Sequence, residues 1–423
     1  MKTKARRTIK RSIPIHFRLS PFRLATRHEG NADMPRRQML RDRAEGGHAR
    51  VTYVELFFDL VFVFAVTQLS HGLMAHPTLL GVAQTGLLLM AVWWAWIFTA
   101  WVTNWLDPEL RPVQVMLFVV MVVGMVMTMS IPEAFGDRGL IFALAFVAIQ
   151  LGRSVFTAWA MRDHPFQSRN FIRISAWFAA SGVLWISGGL AEGGARLALW
   201  GGAIALEYLS PALGFWTPGM GRARAEEWDV EGGHLAERCA LFTIIALGES
   251  ILVMGATTAS LPWTPIVVAA FLASFAGSLA MWWIYFSFTA EAASEAISHA
   301  KDPGRVARVA YTYTHLLPIA GIIVTAVADE WTIHHPLGHA DLKTAAALIG
   351  GPFLFVLGGL LFKRAVFRLW APAQVVALLA LAALIPVSPM ISPLVLSIAT
   401  TVVLLGVCVR EALVHGPRRA RAA

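Results

Sequence analysis

The stretch VTYVELFFDLVFVFAVTQLSHGL, Val51 to Leu73, decides how this chain is read. It is long and apolar enough to cross a bilayer, which takes about 20 residues of helix. Yet it carries Glu55 and Asp59 near its start. Their i, i+4 spacing puts both on one helix face. An acid at the centre of a membrane helix costs roughly 2.5–3.5 kcal/mol on insertion scales. Glu55 is shallow and relieved in part by the positive helix N-terminus. Asp59 lies about 12 Å along the span at 1.5 Å per residue, so it needs a cation, a proton or water.

The rest of the chain agrees with a membrane setting. Its 423 residues are 57% apolar and only 14% charged, with 16 Trp and 25 Phe. That composition lies outside the soluble globular range and suits wide lipid-facing surfaces. Twelve apolar runs of spanning length are expected, near 51–75, 79–103, 112–132, 139–161, 171–190, 196–216, 235–257, 263–288, 308–328, 342–362, 371–388 and 391–413. In lipid a span must satisfy its own backbone, so these read as helices. The fold class is an all-α integral membrane protein.

Charge placement orients it. With the N-terminus inside, the inner connectors carry Arg111, Arg162, Arg169, Arg173, Arg222, Arg224, Lys301, Arg305, Arg308, Lys363, Arg364 and Arg368. The outer ones hold only Arg138, Arg196 and Lys343. This is a positive-inside pattern with both termini cytoplasmic, in the bacterial inner membrane. Residues 1–50 hold 14 Lys/Arg against 4 Asp/Glu and lack an apolar h-region, so they form a basic tail rather than a signal peptide. Met34 offers an alternative start. The net charge of +9 is concentrated at the ends, which argues for anionic headgroups and against nucleic acid. Cys239 and Cys408 sit in apolar runs and read as small buried hydrophobes.

The seventh span, HLAERCALFTIIALGESILVMG (His234–Gly255), repeats the opening puzzle. His234 and Arg238 are one turn apart, Glu237 lies beside them, and Glu249 is near the membrane centre beside Ser250. Glu55 or Asp59 is expected to pair with Arg238 if the two helices meet. The functional reading is a pathway lined by Asp59 and Glu249; the alternative is an interhelical salt bridge that fixes packing. Arg153 and Glu207 are expected to pair. His315, one turn before Pro318, reads as a satisfied packing residue beside a kink. The stretch DEWTIHHPLGHAD, Asp329 to Asp341, reads as a solvated outer connector; Pro336 and Gly338 argue against a metal site at His335 and His339. No nucleotide, hydrolase or zinc signature is present, so neither a cofactor nor an enzyme is expected.

Three echoes in the same order suggest two parallel six-helix repeats, 51–216 and 234–414. They are AVWWAWIFTAW with LAMWWIYFSFTAE, GRSVF with KRAVF, and ALEYL with VREAL. Residues 217–233 would link them, and 415–423 form a second basic tail.

VELFFDLVFVFAVTQLS (Val54–Ser70) and HLAERCALFTIIALGESI (His234–Ile251) resemble the signature segments of the bacterial low temperature requirement A family. SIPEAFG (Ser130–Gly136) and MWWIYF (Met281–Phe286) extend the resemblance over roughly 48–415. It implies a polytopic membrane protein named for a requirement for growth in the cold, and it assigns no roles to Glu55, Asp59, Glu237, Arg238 or Glu249. FFD at Phe57–Asp59, with Arg50 upstream, also looks like the Arg…Phe-Ser-Asp motif of a potassium-channel family, with Phe58 in place of the serine. The expected function is transport of a small solute or ion past buried acids. The alternatives are a cation channel and a non-transport protein that supports the membrane in the cold. The expected partners are the bilayer and an unnamed small solute or ion; a homo-oligomer is left open.

Overall fold

The computed structural model describes residues 39–41, 50–223, 231–286, 293, 296–297, 300 and 302–419, with backbone only at 303 and 415–419. Most of the N-terminal tail with Met34, much of the 217–233 linker, and Arg224 and Lys301 lie outside the described residues. Among the described residues twelve helices of ten residues or more follow one another: α1 (Tyr53–Ala75), α2 (Leu79–Trp105), α3 (Arg111–Met129), α4 (Gly139–Ala160), α5 (Pro165–Leu190), α6 (Gly193–Leu209), α7 (Gly232–Ser260), α8 (Pro265–Phe286), α9 (Gly304–His334), α10 (Leu342–Phe367), α11 (Pro372–Ala383) and α12 (Pro393–Val414). No strand occurs among the described residues.

Each helix answers one expected span, but ten of them are long and apolar enough to cross a membrane. The other two are α6, with 17 residues, and α11, with 12. At 1.5 Å per residue α11 reaches about 18 Å, short of the roughly 30 Å hydrocarbon layer. The ninth span departs furthest from expectation. It runs on to His334, where Pro336 and Gly338 (φ +88°) stop it, so Asp329 and Glu330 belong to the helix and not to the connector.

α1 begins with a reciprocal cap. The backbone N–H of Thr52 and its hydroxyl both donate to Glu55 Oε2, each at 2.9 Å. The first acid therefore satisfies an orphan donor at the helix start. α1 and α7 lie side by side and run in the same direction, because Glu55 meets His234 near both starts and Thr67 meets Glu249 further along both. The face where α1 and α7 begin is called proximal below, and the opposite face distal.

α2 is the most enclosed of the spanning helices, with Trp93, Trp94 and Trp96 all buried. The corresponding Trp282 and Trp283 of α8 are exposed, so this sequence echo does not reproduce the environment. α9 opens with a π-turn over Arg308–Thr314, immediately before the expected Pro318 kink. The wider turn leaves the Thr312 carbonyl free to accept from Trp93 Nε1 at 2.7 Å, while the Thr312 hydroxyl accepts from Trp101 Nε1 at 3.0 Å. α9 and α10 then pack in close contact. A Cβ on Gly358 would stand 2.2 Å from Pro318 Cδ, so only glycine allows that approach.

Candidate functional site

The charged residues of α1 and α7 meet in one proximal layer. Arg238 Nη2 donates to Asp59 Oδ1 at 2.6 Å, and its Nη1 lies 3.1 Å from Glu55 Oε1. Arg41, from the segment before α1, donates to Glu55 Oε2 at 2.8 Å and to the Thr103 carbonyl at 2.7 Å. Trp96 Nε1 of α2 donates to Asp59 Oδ1 at 2.7 Å. Glu55, Asp59, His234 and Arg238 are all fully buried. Two carboxylates thus face two guanidiniums, and the layer is neutral. The Arg238 guanidinium also lies 5.7 Å from the ring centroids of Phe58 and Trp96.

His234 has polar partners at both ring nitrogens. Asn104 is oriented by the Glu231 backbone, donating to its carbonyl at 2.8 Å and accepting from its N–H at 3.1 Å. The Asn104 amide N–H then points to His234 Nδ1 at 3.3 Å. Nε2 lies 2.9 Å from Glu55 Oε1 and 3.1 Å from Arg41 Nη2, so the ring is enclosed on both nitrogens. Glu55 is saturated on both oxygens. Asp59 Oδ2 and Arg238 Nε, in contrast, have no hydrogen-bond partner among the described residues.

The expected pairing with Arg238 is present for both acids. Asp59 is therefore answered by a cation rather than by a polar interior. Glu237 stays outside the layer: it is exposed and accepts from the Val51 N–H at 3.3 Å. Arg41 was not singled out in the sequence, because it sits in the basic tail among many similar charges.

Glu249 lies further along α7 and away from this layer. It is 4% exposed and accepts from the Thr67 hydroxyl of α1 at 2.7 Å. No ion pair reaches it among the described residues. Between the two layers the seam is apolar and includes Phe62, Val66, Phe242 and Ala246. Asp59 and Glu249, expected to line one pathway, are thus separated by an apolar stretch. At the distal end Gln68, His76, Gln84, Thr85 and Glu133 line a polar cavity of about 210 Å³. Glu133 and Gly136 of the SIPEAFG segment form part of its wall.

Arg153 and Glu207 are not in direct contact, contrary to expectation. Gln150 stands between them, accepting from Arg153 Nη2 at 2.5 Å and donating to Glu207 Oε2 at 3.3 Å. Ser181 and Trp185 of α5 donate to the other Glu207 oxygen at 2.8 and 2.9 Å. Arg153 also donates to the Ala95 carbonyl and the Thr99 hydroxyl. His315 is buried and satisfied: Nδ1 donates to the Ala310 carbonyl at 3.0 Å, so Nε2 accepts from the Tyr285 hydroxyl at 2.8 Å. Ser250 is fully buried, and its hydroxyl has no partner among the described residues.

Sequence reasoning missed Asp329. It is 2% exposed within α9, and its Oδ2 has no partner among the described residues. The signal was present: the helical rhythm of Ile322, Ala326, Asp329 and Ile333 continues up to Pro336.

The bacterial low temperature requirement A family matches residues 50–409 of this chain. An uncharacterised protein of Rhizobium meliloti (strain 1021) is 40% identical over 374 residues, covering 88% of this chain and 91% of its own. No solved structure matches.

Proposed function

The chain belongs to the bacterial low temperature requirement A family, and we propose that it carries a small solute or ion across the bacterial inner membrane along the seam between α1 and α7. The observation that supports this most is Glu249, a buried carboxylate with a hydroxyl partner and no cation among the described residues. A carboxylate at membrane depth without a counter-charge is expensive, and such groups mark ion and proton routes. The apolar stretch between Glu249 and the Asp59–Arg238 pair acts as the closed gate in this reading. Both termini lie in the cytoplasm in this reading, with Arg111 at the proximal start of α3 and Arg162 on the connector between α4 and α5; Arg173, expected on that connector, is buried inside α5.

A six-plus-six arrangement is part of the proposal. In the first half α4 and α6 are joined by Arg153, Gln150 and Glu207. In the second, α10 and α12 are joined by an ion pair of Lys363 with Glu411. The same pair of helix positions is thus linked by a base and an acid in each half.

Reconstituted liposomes test the reading. Purified protein is expected to give ion-dependent changes in membrane potential or internal pH, and Glu249→Gln is expected to abolish them. Flux that survives in Glu249→Gln removes this pathway. Downhill, voltage-driven currents that saturate weakly identify a cation channel instead of a carrier. A structural role in the cold is favoured by one observation, the saturation of both Glu55 oxygens, as in a fixed brace. Its sign is cold growth that persists in the Glu249→Gln strain with no flux from either protein.

A further inference from the structure

α7, α8 and α9 pack against one another in the distal half. Their contact carries an apolar layer of Met254, Val267, Ala270 and Ile333, joined by Leu394 of α12. One helical turn nearer the membrane centre the same three faces change character. Ser250 lies four residues before Met254, Ser274 four after Ala270 on the oppositely directed α8, and Asp329 four before Ile333. A step of four keeps a side chain on its face and moves it about 6 Å along the axis. The three oxygen-bearing side chains therefore form one layer beneath the apolar lid.

All three are buried, at 0%, 2% and 2% exposure. Ser274 is the polar neighbour of Asp329 across the interface. Beyond that contact, Ser250 Oγ and Asp329 Oδ2 have no hydrogen-bond partner among the described residues. No ion pair reaches Asp329 there either. The charged groups on the packed helices are otherwise placed. Glu249 of α7 is held by Thr67. Glu330 and His334 follow on α9, α8 has no acid, base or histidine, and Glu411 of α12 is bound to Lys363. Lys343 of α10 is exposed, 3.7 Å from Asp341.

An unpaired anion is not sustained in this surrounding, and two neutral hydroxyls alone do not balance it. Oxygen ligands suit a hard cation, and a single carboxylate balances one positive charge. We propose that this layer is a binding site for a small monocation, a proton or a sodium ion. Asp329 supplies the charge, and Ser250 and Ser274 supply neutral oxygens. As the ion site of a carrier it rests on the transport reading above; as a binding site it stands alone.

A hydrophobic carbodiimide tests it, because this reagent enters membranes and modifies carboxyl groups in the protonated form. Full-length protein in liposomes is labelled across a pH series, in sodium and in choline salts of equal ionic strength, and the peptides are read by mass spectrometry. Asp329 is expected to label, and its labelling to fall as pH rises. Glu55 and Asp59, held by guanidiniums, are expected to label far less. Slower labelling in sodium than in choline assigns the site to sodium; equal rates assign it to the proton. Asp329→Asn is expected to remain monodisperse and lose the label. Ser274→Ala is expected to shift the pH of half-maximal labelling or weaken sodium protection, which a carboxyl with a packing role alone would not show. The proposal is overturned if Asp329 labels equally at every pH and salt. It is also overturned if Asp329 labels only after denaturation. A labelled, pH-sensitive Asp329 in a protein that carries no flux keeps the site and removes the carrier.

Discussion

Two buried acidic layers of this protein solve the same problem in opposite ways. In the proximal layer Glu55 and Asp59 face Arg41 and Arg238, with His234 against Glu55, and two acids meet two guanidiniums. In the distal half Glu249 and Asp329 have hydroxyl neighbours and no cation among the described residues. Burying a matched ion set costs desolvation but fixes how two helices pair. Burying an acid without one leaves its charge unbalanced inside the fold. The difference teaches that acid content alone does not say how a buried acid is balanced. The partners of each acid do.

The comparison breaks first at Arg238. Arg238→Leu leaves Asp59 without its guanidinium, and a buried charge stripped of its partner costs about 3–5 kcal/mol. The expected outcome is a large fall in melting temperature in detergent, or loss of monodisperse protein on size exclusion. Asp59→Leu combined with Arg238→Leu removes both partners and is expected to recover much of that loss. If the double variant is no better than the single, the pair is not the source of the stability.

A smaller effect separates the two layers directly. Asp59→Asn keeps the shape but weakens a charge-assisted bond, which is worth roughly 1.5–3 kcal/mol. Asp329→Asn disturbs no ion pair and is expected to melt close to the native chain. Side-by-side thermal unfolding measures the contrast, and equal shifts would erase it. The α4–α6 link lies between these cases. Gln150→Leu breaks the relay and leaves Arg153 and Glu207 short of a partner, at about 1–3 kcal/mol. The smallest effect is at Glu237, which is exposed with one contact at 3.3 Å. Glu237→Gln is expected to leave melting unchanged, although it neighbours Arg238 in the sequence.

The helices themselves were legible because lipid imposes a local rule. Each spanning segment must satisfy its own backbone and present apolar side chains, so length and hydropathy fix it residue by residue. All twelve helices fall on expected runs, and what differs is the reach of α6 and α11 and the far end of α9. The i, i+4 spacing of Glu55 and Asp59 fixed a shared face, and the need for a cation pointed to Arg238. Partner choice is not local. Glu55 and His234 are 179 positions apart, and so are Asp59 and Arg238. Only the packing of α1 against α7 brings them within reach. Packing also placed Gln150 between Arg153 and Glu207, recruited Arg41 from the tail, and turned Glu237 outward. Asp329 was read as connector because its apolar run was ended at the acid, and the tertiary structure put it inside α9 against α7 and α8. The sequence by itself determined which segments enter the membrane and which charges they take with them. The tertiary structure decided which of those charges are answered, because compensation depends on distance between helices and not on spacing along one.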